Sequence, residues 1–308
     1  MYMNNRNFKT RFVRDFKKNK WKYIIVLPVI VYLIIFAYKP MYGIIISFKN
    51  FKPHLGIMDS KWVGLRHFKS LFSDIYFSRS LRNTFTISIL SLLFSFPAPI
   101  MLALVLNEVK VHWFKRTVQT ITYMPHFIAT VVVCGMITSF TQSDGLFNDV
   151  IAFFGGERSN LLIQSQFFYP IYILSGVWQG VGWNSIIFLA ALAGIDQEQY
   201  EAAKVDGANR IKQLWHITLP GLVPVISMLL VLNLGKILSV GYEKILLLYQ
   251  PATYEVADVI STYSYRKGLV EANYSYSTAV GLFNSIVNIT MLLLSNKMSK
   301  KLGQSGLF

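Results

Sequence analysis

Cysteine occurs once in this chain of 308 residues, at Cys134, and histidine five times, at His54, His67, His112, His126 and His216. A lone cysteine excludes an internal disulfide and leaves the redox compartment unread. The histidines never recur at i+3 or i+4 and no HExxH occurs, so metal chemistry has no ligand set. A GxSxG elbow is missing, which removes the usual footing for hydrolysis. So is any GxxxxGK[ST] loop, and a nucleotide, if one is used, must be held by another polypeptide. Acidic residues are scarce too, 15 against 30 Lys and Arg, for a net charge of +15.

What is abundant is apolar surface. Hydrophobic residues make up 53% of the chain and charged ones 15%, with a mean hydropathy of +0.42, too apolar for a soluble domain that must cover itself. Runs long enough to span a bilayer, about 20 residues each, can be drawn at 23–48, 84–106, 117–141, 167–193, 222–240 and 277–295. The chain therefore reads as an all-α polytopic membrane protein with six transmembrane helices. None of the acidic residues falls in the middle of a run, which argues against an ion-gradient carrier with intramembrane carboxylates.

Lys and Arg near the spans set orientation. Arg6, Lys9, Arg11, Arg14, Lys17, Lys18, Lys20 and Lys22 stand against one acid, Asp15, and predict a cytoplasmic amino terminus. Six spans then place Lys297, Lys300 and Lys301 inside, together with the loop holding Lys110, Lys115 and Arg116. The 49–83 loop is basic as well, yet long loops cross with little regard to charge, and this one reads as an interfacial amphipathic helix. Basic residues interleaved with apolar runs serve topology and anionic lipid contact rather than nucleic acid. The first apolar run is too long for a cleavable signal, and no small-x-small site follows it.

Tyr38-Lys39-Pro40 predicts a kink in the first span, and Pro97, Pro99 and Met124-Pro125-His126 predict kinks in the second and third. With no repeat or Ser/Gly linker, the spans form one membrane domain. Its parts are a basic tail at 1–22, the first helix at 23–48, an outer loop at 49–83, a core at 84–295 with a cytoplasmic loop at 195–220, and a tail at 296–308.

That cytoplasmic loop is the most informative stretch. It reads EAAKVDGANRIKQLWHITLP over 201–220. Asp196 can cap a first short helix, Gln199 completing a capping box, and Gly207 after Asp206 supplies the turn that ends it. Asn209 can cap a second helix in which Ile211, Leu214 and Trp215 share a face. The pattern Glu-Ala-Ala, three residues, Gly, nine residues, Ile-x-Leu-Pro resembles the permeases of binding-protein-dependent ATP-binding-cassette importers. WVGLRHFKSLF at 62–72 and SLRNTF at 80–85 are similar to the maltose-transporter type, and 182–208 is similar to permeases for complex oligosaccharides.

The resemblance implies a type I importer permease fold in which this loop docks on the ATPase. The positions it marks are Glu201, Ala202, Ala203, Gly207, Ile217, Leu219 and Pro220, and the hairpin's own residues add Asp206, Ile211 and Leu214 as coupling candidates. Small alanines would permit close approach, Glu201 would meet a basic partner, and Gly207 would hold a backbone shape that a side chain spoils.

Polar residues inside apolar runs are candidates for a substrate path. Gln179, Trp183 and Asn184 lie in GVWQGVGWNS, where Gly176 and Gly180 form a small-xxx-small pair suited to close packing. Asn233 and Lys236 interrupt a later run, and Asn233, Ile237 and Val240 are spaced to share a helical face. The resemblance puts Gln179, Gly180, Trp183, Asn233, Ile237 and Val240 where maltose-type permeases line the sugar site, although most of these residues differ from those of the maltose permease.

The expected function is thus import of a carbohydrate, an oligosaccharide, by alternating access across a bacterial cell membrane. Implied partners are a second, similar permease chain, two ATP-binding subunits and an extracytoplasmic solute-binding protein. No cofactor is expected on this chain, ATP and Mg residing on the ATPase. The competing readings are a secondary carrier, a permease for a non-sugar solute, and a structural or sensing protein that recruits a cytoplasmic partner through the same loop.

Overall fold

The computed structural model describes residues 8–303 and 306, with side chains from residue 15 onward. The side chains of Arg6, Lys9, Arg11 and Arg14, counted above for orientation, lie outside the described ones. Among the described residues, five helices are long and apolar enough to cross a bilayer: Asp15–Phe48, Ile75–Glu108, Ser165–Ala193, Arg210–Leu234 and Tyr274–Lys301. A sixth crossing exists only as a bent pair, His112–Phe127 and Thr130–Phe153, which meet at 97°.

The drawn third span, 117–141, is therefore not one helix. Pro125 removes a backbone donor, the turn tightens over Met124–Phe127, and Ile128 is extended before Thr130 starts a new helix. The backbone freed there is recovered by a neighbour, for Gln179 Nε2 donates to Ile128 O at 3.2 Å. At Pro97 the second span breaks more gently, its helix ending at Phe94 and resuming at Pro97. Across Lys39-Pro40 the first span stays helical, a wide turn over Ile34–Tyr38 absorbing the proline.

Three boundaries depart from hydropathy. The first helix reaches back to Phe8 through the basic tail, with a non-helical residue at Asn19 whose amide donates to Asp15 at 2.7 Å. The second span starts at Ile75, not 84, because Asp74 caps it by accepting from Tyr76 N–H at 2.8 Å. Its polar first turns are buried against the rest of the protein rather than left outside. Ser80 donates to Asp258, and Asn83 donates to Glu255 O and Asp258 O. The fifth span ends at Leu234, not 240.

Past that point the chain does not cross directly to the last span. It builds short helices, among them Tyr242–Leu248, Tyr254–Ala257 and Ile260–Tyr265, that fill the centre of the molecule. Ile245, Leu248, Ala257 and Val259 pack with Ile87, Val133, Cys134 and Phe168. Leu238, Ile260 and Tyr263 pack with Leu71, Phe77 and Val280. Leu71 belongs to the amphipathic helix Arg66–Ser73 of the 49–83 loop, which follows a small hairpin pairing Lys49–Lys52 with Ser60–Trp62. Tyr263 Oη donates to Asp74 at 2.6 Å and lies 2.9 Å from Tyr276 Oη, clamping three elements together. Asp258, fully buried, takes Arg266 at 2.6 and 3.3 Å and the Thr262 hydroxyl at 2.8 Å.

Candidate functional site

Two places concentrate the residues singled out by sequence, a hairpin at one end of the bundle and a cavity inside it. The hairpin is two helices. Gln197–Val205 is capped by Asp196, which accepts from Glu198 N–H at 3.0 Å. Among the described residues no reciprocal bond from Gln199 accompanies it, since Asp196 reaches the second backbone donor rather than the third; the capping box is half made. The helix ends as the glycine predicts. Gly207 has φ +74°, Gly207 N–H donates to Lys204 O at 3.1 Å and Ala208 N–H to Ala203 O at 2.8 Å, which together satisfy the last carbonyls. A Cβ on Gly207 would meet nothing within 4 Å. The requirement for glycine is thus the backbone angle, and the space beside it is open.

Asn209 caps the second helix, accepting from Lys212 N–H at 2.9 Å. From Arg210 onward helix is continuous through a wide turn at Leu214–Thr218 and Pro220 into the fifth span. Pro220 follows that wide turn inside the continuous helix, and the turn accommodates the donor that the proline lacks, as at Pro40. Gln213 Nε2 donates to Ala208 O at 2.9 Å, and Ile195 packs where a Cβ on Gly221 would lie 2.7 Å away. The first ties the second hairpin helix to its turn, and the second packs the end of the fourth span against the start of the fifth. Arg210 also pairs with Glu108 at 3.4 Å, an exposed contact worth little by itself.

The hairpin leaves apolar surface uncovered. Ile211 is 66% and Trp215 64% exposed, while Leu214 on the same side is half-buried. Val205, which no sequence signal singles out, is more exposed still at 88%. Glu201, Ala202 and Asp206 are exposed and Ala203 is partly covered. The hairpin thus presents large apolar residues outward beside polar ones.

The cavity occupies about 870 Å³ between the second, fourth and fifth spans. Trp183, Asn184, Asn233, Lys236, Ile237 and Val240 all line it, with Ser88, Ser91, Ser95, Tyr172 and Ser239. The helical face that spacing predicts for Asn233, Ile237 and Val240 does not exist, because 235–241 is not helix. These residues reach the same cavity by another route. Ser88 Oγ bonds Ile237 O, Asn288 Oδ1 accepts from Leu238 N–H at 3.0 Å and Asn288 Nδ2 donates to Ser239 at 3.1 Å. Side chains from the second and sixth spans thereby satisfy an irregular segment that would otherwise be forbidden at this depth.

Gln179 and Gly180 do not line it. The Gln179 amide is spent on Ile128, and Gly180 lies beside the Asn184 amide. Nor do Gly176 and Gly180 make the close packing their pattern suggests. That contact belongs to Gly182, where a Cβ would fall 2.1 Å from Thr122 O, so only hydrogen lets the fourth span meet the third. Trp183 stacks on His126 with centroids 4.6 Å apart and planes 2° from parallel, and Phe127 meets it edge-on at 5.4 Å. One face of the indole is therefore covered by the broken span.

The inner-membrane-component model of binding-protein-dependent transport systems matches residues 95–300. The chain is 44% identical over 292 residues to the polygalacturonan/rhamnogalacturonan transport system permease protein YteP of Bacillus subtilis (strain 168), covering 94% of this chain and 91% of that one. It is 45% identical over 293 residues to protein LplB of the same organism, covering 95% and 92%. Among solved structures, a chain of a bacterial ABC transporter involved in the import of the acidic polysaccharide alginate superposes with a TM-score of 0.88 at 46% identity, covering 94% of this chain and 99% of that one. A bacterial alginate ABC transporter in complex with alginate pentasaccharide-bound periplasmic protein gives 0.89 at 45%, covering 96% and 100%. With spans, hairpin and cavity in the same chain, the protein belongs to the family of inner membrane components of binding-protein-dependent transport systems and is an integral membrane permease subunit rather than an enzyme.

Proposed function

We propose that the chain imports an oligosaccharide through its cavity, with the hairpin 196–220 as the cytoplasmic socket for an ATPase subunit. The observation that carries this reading is the continuity of Arg210–Leu234. One helix has the docking surface at its start and Asn233, a cavity residue, near its end. Force applied at Ile211 is delivered to the cavity without a flexible joint. Glu201, Ala202 and Asp206 offer a partner polar contacts and close approach, while Val205, Ile211 and Trp215 offer apolar area.

Trp183, with one face free, suits a sugar ring, and Asn184, Asn233, Ser88 and Ser91 suit hydroxyl groups. Similar proteins named for polygalacturonan, rhamnogalacturonan and alginate support a carbohydrate. ATP and Mg belong to the ATPase, and a second permease chain completes the path. A binding protein delivers cargo outside, a role supported by the similar alginate transporter in complex with its pentasaccharide-bound periplasmic protein. Both termini lie in the cytosol.

The test is uptake into proteoliposomes holding this chain with its partner permease and ATPase. Saccharide accumulation that needs ATP and the binding protein is expected. Accumulation that follows a proton or sodium gradient without ATP would overturn the reading.

A further inference from the structure

Among the described residues, Lys236 is the one charged side chain lining the cavity, and no carboxylate lines it. It is exposed to that space and joins no ion pair among the described residues. Its place is fixed by backbone. The fifth span stops at Leu234, Gly235 passes close to the last span, where a Cβ would lie 2.7 Å from Leu292 Cδ1, and Lys236 N–H closes a turn onto Asn233 O at 3.0 Å. Counted from Pro220 at 1.5 Å per residue, the turn is about 20 Å from the cytoplasmic start of the span. That is beyond the reach of a lysine stretching back to water on that side.

A second ammonium group stands nearby. Lys244 is 9% exposed, its Nζ donates to Tyr172 O at 3.3 Å and lies 5.0 Å from the Tyr172 ring, and Tyr172 lines the cavity. Both of its contacts are neutral. The neighbouring Glu243 is exposed and is not part of the lining. Ammonium groups inside a membrane protein are costly, and where they stay they are matched or they serve the transported species. Here the protein supplies no match in the cavity.

We propose that the cargo supplies it: the saccharide is anionic, a chain containing uronate units, and Lys236 binds a sugar carboxylate inside the cavity while Lys244 adds positive field from behind Tyr172. This rests on the carbohydrate reading above. The serines and amides of the lining pair equally well with the hydroxyls of neutral and acidic sugars. Lys236 is the lining group that distinguishes a carboxylate from its ester, through a charge-assisted bond.

The test uses the whole transporter complex in lipid nanodiscs without binding protein. Binding of tetragalacturonate and tetramannuronate is measured, each against its fully methyl-esterified form. The acid of at least one pair is expected to bind about tenfold tighter than its ester, from the usual strength of a charged hydrogen bond. Lys236→Gln should remove most of that preference by weakening the acid while leaving the ester within about twofold, and Lys236→Arg should retain it. Equal affinity for acid and ester in the unaltered complex, or an equal loss for both in Lys236→Gln, overturns the anion proposal and leaves the carbohydrate reading standing. Failure of an ATPase-active complex to bind any of the four probes overturns the uronate proposal as well, and the carbohydrate reading is then decided by the ATP-dependent uptake test above.

Discussion

The hydroxyls of Tyr200 and Thr218 lie 2.9 Å apart, joining the first hairpin helix to the helix that becomes the fifth span. Thr218 is nearly buried and also donates to Gln213 O at 3.3 Å. The pair ties the two helices to each other. Tyr200→Phe removes a bond worth about 1 kcal/mol, too little to unfold the protein. Membrane insertion and ATPase activity of the complex should persist while sugar moved per ATP falls severalfold. An unchanged ratio of uptake to hydrolysis would show that this bond does not transmit movement.

Gly207 makes a sharper case because its surroundings are open and its angle is not. Gly207→Val forces a β-branched residue into left-handed backbone at a cost of about 1–2 kcal/mol, whereas Gly207→Asn is far better tolerated there. Both variants should insert normally, and uptake should fall with valine much more than with asparagine. Equal loss for both would mean that a clash with the ATPase, and not the helix end, sets the requirement.

Gly182 and Gly180 carry opposite expectations although they are neighbours in one helix. A methyl on Gly182 runs into Thr122 backbone, while one on Gly180 meets only the movable Asn184 amide at 3.1 Å. Overpacking of the first kind typically costs about 1–3 kcal/mol. Gly182→Ala should lower the thermal midpoint of the purified complex by several degrees and Gly180→Ala should not, as read by unfolding in detergent. The reverse order would contradict the packing described.

The Asp258–Arg266 pair is the most demanding polar contact of the centre, its carboxylate wholly buried. Removing one partner of a buried pair costs about 3–5 kcal/mol, and removing both costs much less. Asp258→Asn should therefore yield little folded protein, and the double replacement Asp258→Leu with Arg266→Leu should recover part of it. Expression and size-exclusion profiles of the complex decide the matter.

The hairpin was legible because its signals are local. Asp196, Gly207 and Asn209 act on backbone within five residues of themselves, and each does in the structure what its chemistry predicts. The segment from Gly235 to Val270 was not legible, for the opposite reason. Ile237, Leu238 and Val240 extend the apolar run, and nothing near them says that Ser88 and Asn288 will satisfy a broken backbone. Asp258 likewise finds its partner Ser80 far along the chain. Gly176 and Gly180 carried the packing pattern while Gly182 made the contact, since a small-residue pattern names a surface and not the helix that covers it. Trp183, Asn184, Asn233 and Lys236 emerged from sequence as polar or amphipathic groups in apolar runs, Ile237 and Val240 only through the family resemblance, and Ser88, Ser91, Ser95, Tyr172 and Ser239 gave no signal of their own.

The central claim is that the hairpin faces the cytosol and receives the ATPase, and Cys134, 2% exposed in the core, leaves the chain free of competing accessible thiols among its described residues. Val205→Cys would place a thiol at the most exposed apolar position of the hairpin. A membrane-impermeant maleimide should label it in inside-out vesicles stripped of ATPase, fail to label it in intact cells, and be blocked when the ATPase is added back. Labelling in intact cells, or labelling indifferent to the ATPase, would contradict the account.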